Sequence, residues 1–367
     1  MEHVKPTDLV AVAAARRTTA SAPSAAAPSR VLFIDNVRWV MILLVISMHA
    51  AVTYSPFGSW YYREHPPVGT ASTLFFATYQ GVLQGFFMAL LFFVAGYFVP
   101  RSYDAKGARS FMGGRFFRLG LPTLLFVAAV GPLTEYLGHP WPLQALGREM
   151  TGYVVRGEFL SGTGPLWFCA ALLLFSAAYA GLRLVVRPAR SATDGRIDVV
   201  GVMLAVQAIA LATFLTRLVF PLGSSVLNMQ LCYFPSYIIM FAAGVVASRH
   251  DWIGTVTDRF AWSVTAVCVG AAMLMWLPLL VLGGALSGQT AAFSGGATWQ
   301  SGGMSLWEAL ICVGMSFGVL AGFRSRLSGQ SRLVKFMSDN AFAVYVIHAP
   351  ILVALGLALA PLSLAPV

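Results

Sequence analysis

Asp35-Asn36-Val37-Arg38, then an almost unbroken apolar run that ends at His49, is the stretch on which the reading of this chain turns. The segment is long enough to cross a bilayer as a helix. It nevertheless opens on an acid–base pair and carries an imidazole about three turns in. Arg38 and His49 are eleven residues apart. At ~100° per residue that is ~1,100°, only ~20° past three full turns, so both side chains leave the helix on nearly the same face. A rise of ~1.5 Å per residue sets them ~16 Å apart along the axis. With Arg38 at one membrane surface, His49 lies about halfway across, where an ionisable group is costly and points to function.

Composition agrees with a membrane reading. The 367 residues are 58% hydrophobic and 10% charged, with mean hydropathy +0.74, whereas soluble domains carry ~25% charged residues. Repeated long apolar runs predict an all-α, polytopic helical bundle, because barrel strands would be short and alternating. A net charge of +10 would suit nucleic acid, but the basic residues cluster between apolar segments, where they set topology. No nucleic-acid partner is expected. Cys169, Cys232, Cys268 and Cys312 each stand alone in apolar surroundings without metal-ligand spacing. They are read as small lipid- or core-facing residues, with no metal site.

Residues 1–30 are rich in Ala, Ser and Pro, with Arg16, Arg17 and Arg30. They lack the apolar core of a signal peptide and are expected to form a flexible cytoplasmic tail. Residues 31–367 then form the membrane domain. Nine apolar segments lie at 36–55, 73–99, 117–137, 165–186, 198–220, 231–248, 261–283, 306–323 and 341–360, which predicts about nine to ten transmembrane helices. Alternate connections are basic. Arg101, Lys106, Arg109, Arg115 and Arg118 follow the second segment; Arg183, Arg187, Arg190 and Arg196 the fourth; Arg249 and Arg259 the sixth; Arg324, Arg326, Arg332 and Lys335 the eighth. Loops 221–230 and 284–304 contain no Lys or Arg. The amino terminus is therefore expected to be cytoplasmic, and nine spans put the carboxyl terminus outside. The longest outer connection, 138–164, mixes His139, Trp141, Arg148, Glu149, Arg156 and Glu158 and is either a lid, a re-entrant segment or an ordinary loop. Loop 284–304, rich in Gly, Ser and Ala, is expected to be mobile. No internal repeat is evident, which weakens a transporter built from two similar halves.

Several groups carry chemistry. Arg115 and Arg118 open the third span, three residues apart and so on one face. Two guanidiniums at a helix N-terminus suit a phosphate; the alternative is anchorage to lipid head groups. Arg38 is a membrane anchor or part of that cluster, with Asp35 in pairing range. Neutral imidazole is the natural base near neutral pH, so His49 reads as a base or as a satisfied core histidine. Pro165 suits the first turn of the fourth span. Trp167, like Trp60, Tyr61, Tyr62, Trp299 and Trp307, reads as an interface aromatic or a sugar-stacking ring. Tyr345 and His348 share a face three residues apart, in a packing or hydrogen-bonding role. Arg217 and Glu308 lie near outer span ends, where they meet an external substrate or snorkel.

Four motifs occur here in one order: Arg38 with His49, Arg115 with Arg118, Gly164-Pro165-Leu166-Trp167-Phe168, and Tyr345-x-x-His348-x-Pro350. Over about residues 31–360 the set resembles the membrane acyltransferase-3 family. The stretch from Phe33 through His49 to Thr53-Tyr54-Ser55 most resembles its glucan-biosynthesis protein C branch. The resemblance implies transfer of an acyl group, acetyl or succinyl, from cytoplasmic acyl-CoA to a hydroxyl of an extracytoplasmic glycan or glycolipid, in a bacterial inner membrane. By that likeness His49 is base or transient acyl carrier, assisted by Arg38. Arg115 and Arg118, with Arg38, hold the phosphates of CoA. Trp167, Tyr345, His348 and Glu308 are candidates for holding substrate or the tetrahedral oxygen. Family members carry a further span after the Tyr-x-x-His helix; this sequence stops at Val367, so that last helix is expected to be missing. A transporter or flippase of an anionic or lipid-linked substrate would use the same arginines and histidine, and stays open at this point.

Overall fold

The apolar segments are helices in the computed structural model, which describes residues 32–64, 68–139, 142–186 and 195–362. The amino-terminal tail with Arg16, Arg17 and Arg30, and also Trp141, Arg187 and Arg190, lie outside the described residues. The principal helices are α1 (Leu32–Tyr54), α2 (Thr70–Arg115), α3 (Leu121–Leu125), α4 (Gly131–Gly138), α5 (Leu143–Val155), α6 (Trp167–Val185) and α7 (Val199–Arg217). They continue as α8 (Phe234–His250), α9 (Trp252–Thr255), α10 (Asp258–Leu282), α11 (Ala291–Ser294), α12 (Trp299–Arg326) and α13 (Arg332–Leu359). No β-strand occurs among the described residues; Val226 and Met229 form an isolated bridge.

Eight helices among the described residues are long and apolar enough to cross a membrane. One of them, Thr70–Gly138, runs 69 residues, ~100 Å if straight, against a hydrocarbon core of ~30 Å. It is not straight. Gly107 takes φ 73° and ψ 165° inside α2, a conformation open to glycine. Across this break the rings of Tyr103 and Phe111 meet at 5.5 Å, where eight residues of straight helix would set them ~12 Å apart. The second and third apolar segments are the two limbs of this bent rod. Its far limb widens twice into π turns, Phe116–Gly120 and Phe126–Val130. Each is closed by the N–H of the residue before a proline, Leu121 before Pro122 and Gly131 before Pro132. Proline has no N–H to give and crowds the preceding turn, so the extra residue relieves it.

Helices α12 and α13 begin several residues before their apolar segments, because hydropathy marks the part in lipid while the caps mark the helix. Thr298 Oγ1 accepts from Ser301 N at 3.1 Å and Ser331 Oγ from Val334 N at 3.3 Å, satisfying donors the first turn would leave open.

The centre of the bundle is α2, with 78% of its apolar window buried against 22–39% for most of the others; α12 is intermediate at 56%. Residues such as Leu184, Val185 and Leu274 are exposed, as lipid-facing positions should be. In lipid, helices associate by close packing, which favours small residues at their crossings. Gly96 and Gly244 make that contact between α2 and α8: a Cβ on Gly96 would lie 2.2 Å from Phe241 O, and one on Gly244 2.1 Å from Phe93 O. Gly244→Ala is therefore expected to cost roughly 1–3 kcal/mol by overpacking, read as a lowered unfolding midpoint in detergent. An unchanged midpoint would mean the helices separate freely.

A cluster of ion pairs lies near the Gly107 bend. Asp104 beside the Gly107 bend receives Arg183 of α6 at 2.9 Å and Arg249 of α8 at 2.8 Å, joining three helices. All four cysteines are buried and free. Residues 284–304 comprise turns, the short α11 and the first residues of α12, with Phe293 buried, Leu222 N donating to Ser294 O at 2.7 Å and Gly296 N to Arg217 O at 3.2 Å. One expectation needs correction. Trp307 is no interface aromatic: it is fully buried and stacks on Trp276 at 4.3 Å, since α12 runs through the interior.

Candidate active site

The site is assembled where α1 ends. Ser55 is tied back to α2 by Gln80 Nε2 at 3.1 Å, Arg63 donates to the Ser55 carbonyl at 2.9 Å, and Glu64 N to Thr53 O at 2.9 Å. This return lays Trp60 flat on the His49 ring, centroids 3.9 Å apart and planes within 12°.

The second imidazole comes from α13. His348 Nε2 lies 2.9 Å from His49 Nδ1, and His348 Nδ1 lies 2.7 Å from the Tyr345 carbonyl. A carbonyl only accepts, so His348 Nδ1 carries the hydrogen. With both rings neutral, His348 Nε2 accepts, His49 Nδ1 donates, and His49 Nε2 is left with its lone pair. The tautomer follows from the hydrogen-bond network alone. Tyr345 is itself held, its hydroxyl donating to the Pro165 carbonyl.

That carbonyl belongs to the Gly-Pro-Leu-Trp turn before α6. Gly164 sits at φ +48°, and a Cβ there would come within 2.4 Å of the Tyr61 hydroxyl and 2.6 Å of the Phe126 ring. Glycine is what lets the turn close on the Trp60-Tyr61 loop. Asn228 Nδ2 holds it from the opposite side, donating to Gly164 O at 2.9 Å.

Between these elements lies a cavity of about 560 Å³, whose walls include His49, Trp60, Tyr61, Tyr153, Trp167 and Asn228. The 138–164 connection is one wall, formed by α5 and the turn that follows it. Burial pushes the Tyr61 phenol well above its ordinary range, with Glu135 and Tyr153 adding to the effect, so it remains a hydrogen-bond donor at neutral pH.

The other sequence-derived candidates fall in three places. His49 and Trp167 line the cavity; Tyr345 and His348 are buried and are not among the residues lining it. Glu308 is elsewhere, 2.7 Å from Arg217 Nη2, and both are buried. Arg217 does not snorkel; the Glu308 carboxylate and the Tyr233 ring at 5.5 Å hold its guanidinium inside. Arg38, Arg115 and Arg118 form a separate group. Arg115 stacks over Phe111 at 5.2 Å and lies within electrostatic reach of Arg118 and Arg38, while Arg38 is 3.7 Å from Asp35. None of the three lines the cavity.

A family model describing an acyltransferase domain, of the acyltransferase-3 type, matches residues 31–367. The chain belongs to the acyltransferase-3 family. Comparison with curated proteins and with solved structures gives no significant match. The acyltransferase is thus a multi-pass membrane enzyme in which His49, backed by the buried His348, lines a walled cavity. Three features of it were missed in the sequence. Trp60 reads there as an interface aromatic, but it covers His49. His348 shows its helical neighbour Tyr345 but not its partner, 299 residues away. Asn36 shows no role, yet its side chain donates to Leu327 O at 2.6 Å and Gly329 O at 3.1 Å, fastening the start of α1 to the end of α12.

Proposed function

We propose that this acyltransferase moves an acetyl or succinyl group from cytoplasmic acyl-CoA to a hydroxyl of an extracytoplasmic glycan or glycolipid. In this reading the protein lies in a bacterial inner membrane with its amino terminus inside. The observation that carries it is the His49–His348 pair at a cavity built of loops at the end of the bundle away from the basic cluster. An acceptor hydroxyl in the cavity gives its proton to His49 Nε2 while its oxygen attacks the thioester carbonyl. The tetrahedral intermediate collapses, the carbon–sulfur bond breaks and the CoA thiolate leaves. In a two-step form, His49 Nε2 attacks the thioester itself and the acceptor then takes the acyl group from it. At the other end of α1, Arg38, Arg115 and Arg118 hold the phosphates of CoA through charge-assisted bonds, so donor and acceptor reach His49 from opposite faces.

The test uses the purified protein in sealed vesicles. Acyl-CoA is expected to raise its unfolding temperature, as a ligand of the native state does, and labelled acyl is expected to appear on an outside acceptor. Arg115→Ala should raise the KM for acyl-CoA roughly tenfold or more, the loss of one charged hydrogen bond, with kcat little changed. An unchanged KM removes Arg115 from donor binding. Movement of a labelled glycolipid across the vesicle without any donor would mark a flippase instead.

A further inference from the structure

The cavity has a charge of its own. Among the described residues, Glu135, Glu149 and Glu158 line it with one fixed cation, Arg156, which is within electrostatic reach of Glu149 as well as Glu158. Arg156 is already committed: its Nε lies 2.6 Å and its Nη2 3.3 Å from the Glu158 carboxylate. Glu135 lies 3.8 Å from His139 and within electrostatic reach of Tyr61 and Tyr153. This acidic cavity sits in a chain of net charge +10, so its sign is local and is not inherited from the protein. The wall also holds the aromatic rings of Trp60, Tyr61 and Trp167 and the amides of Asn228 and Gln230.

Resting on the acyl-transfer reading of this cavity, we infer that its acceptor is an uncharged saccharide and that sugars bearing carboxylate or phosphate groups are turned away. Vicinal hydroxyls donate to carboxylates, as they would to Glu135 and Glu149, and the apolar C–H faces of a sugar ring pack on indole and phenol rings. An anionic sugar meets the same carboxylates as like charges in a partly enclosed space, where the field is stronger than in open water. Burial raises the phenols of Tyr61 and Tyr153, with Glu135 adding to the first and Glu158 and then Glu135 to the second.

The experiment compares a neutral gluco-oligosaccharide with its C6-oxidised uronate of equal length, titrated against the full chain in nanodiscs and followed by tryptophan fluorescence. The neutral sugar is expected to bind roughly tenfold or more tighter than the uronate. Added salt should narrow the gap by strengthening uronate binding alone, because screening relieves repulsion. Glu135→Gln with Glu149→Gln should narrow it in the same way. Equal affinities, binding of neither sugar, or a gap indifferent to both salt and the amide variants would overturn the inference. Acyl transfer is measured separately. A neutral-sugar preference without transfer sinks the acyl-transfer reading alone, and transfer with equal affinities sinks only the charge selection.

Discussion

His49→Ala is expected to lower acyl transfer by ~10²–10⁴-fold, the usual contribution of a positioned general base, while the protein still inserts and still gains stability from acyl-CoA. The informative companion is His348. Its Nε2 accepts from His49 Nδ1 while its own Nδ1 donates to the Tyr345 carbonyl, so it acts by fixing which nitrogen of His49 is free. His348→Ala releases that tautomer and should cost ~10–10² in kcat, with the KM for acyl-CoA unchanged. His348→Gln places an amide oxygen near the lost acceptor and should recover part of the rate. A purely structural role would predict Ala and Gln to fail alike, with loss of folded protein. Wild-type turnover in both variants would remove His348 from the reaction, and wild-type turnover of His49→Ala would remove the proposed base.

The second large effect concerns stability. Arg217 and Glu308 are a buried pair 2.7 Å apart, and Arg217 Nε and Nη1 have no hydrogen-bond partner among the described residues. Glu308→Ala leaves an uncompensated guanidinium inside the bundle and should destabilise it by ~3–5 kcal/mol. Replacing both, Arg217→Met with Glu308→Leu, should cost far less than the sum of the single changes, since no charge is stranded. Thermal unfolding in detergent of the two singles and the double measures this directly. Additive losses would show that the ion pair is not a unit.

Much of the fold was legible because lipid imposes it. Each apolar segment became helix, and the basic run from Arg101 to Arg118 marked the place where the rod bends at Gly107. His49 stood out because an imidazole in such a run is costly. What could not be read is what helices do to one another. The His49–His348 and Arg217–Glu308 pairs join residues far apart in the chain, and no periodicity announces such meetings. The cavity wall was only partly legible: Glu149 and Tyr153 lie in a connection that reads equally as a lid, a re-entrant segment or an ordinary loop, and Glu135 stands near the end of an apolar segment. Trp307 was misread for the related reason that an aromatic near a span end looks the same whether it faces head groups or a neighbouring tryptophan.

The separation of the two imidazoles has a consequence for biogenesis. Because they stand 299 positions apart, a ribosome threading this polypeptide into the bilayer has made every helix from α1 to α12 before His348 can arrive. Until then the acceptor that His348 Nε2 offers to His49 Nδ1 is not in place. The His49–His348 pair on which the proposed reaction rests is therefore completed only when the last of the described helices docks.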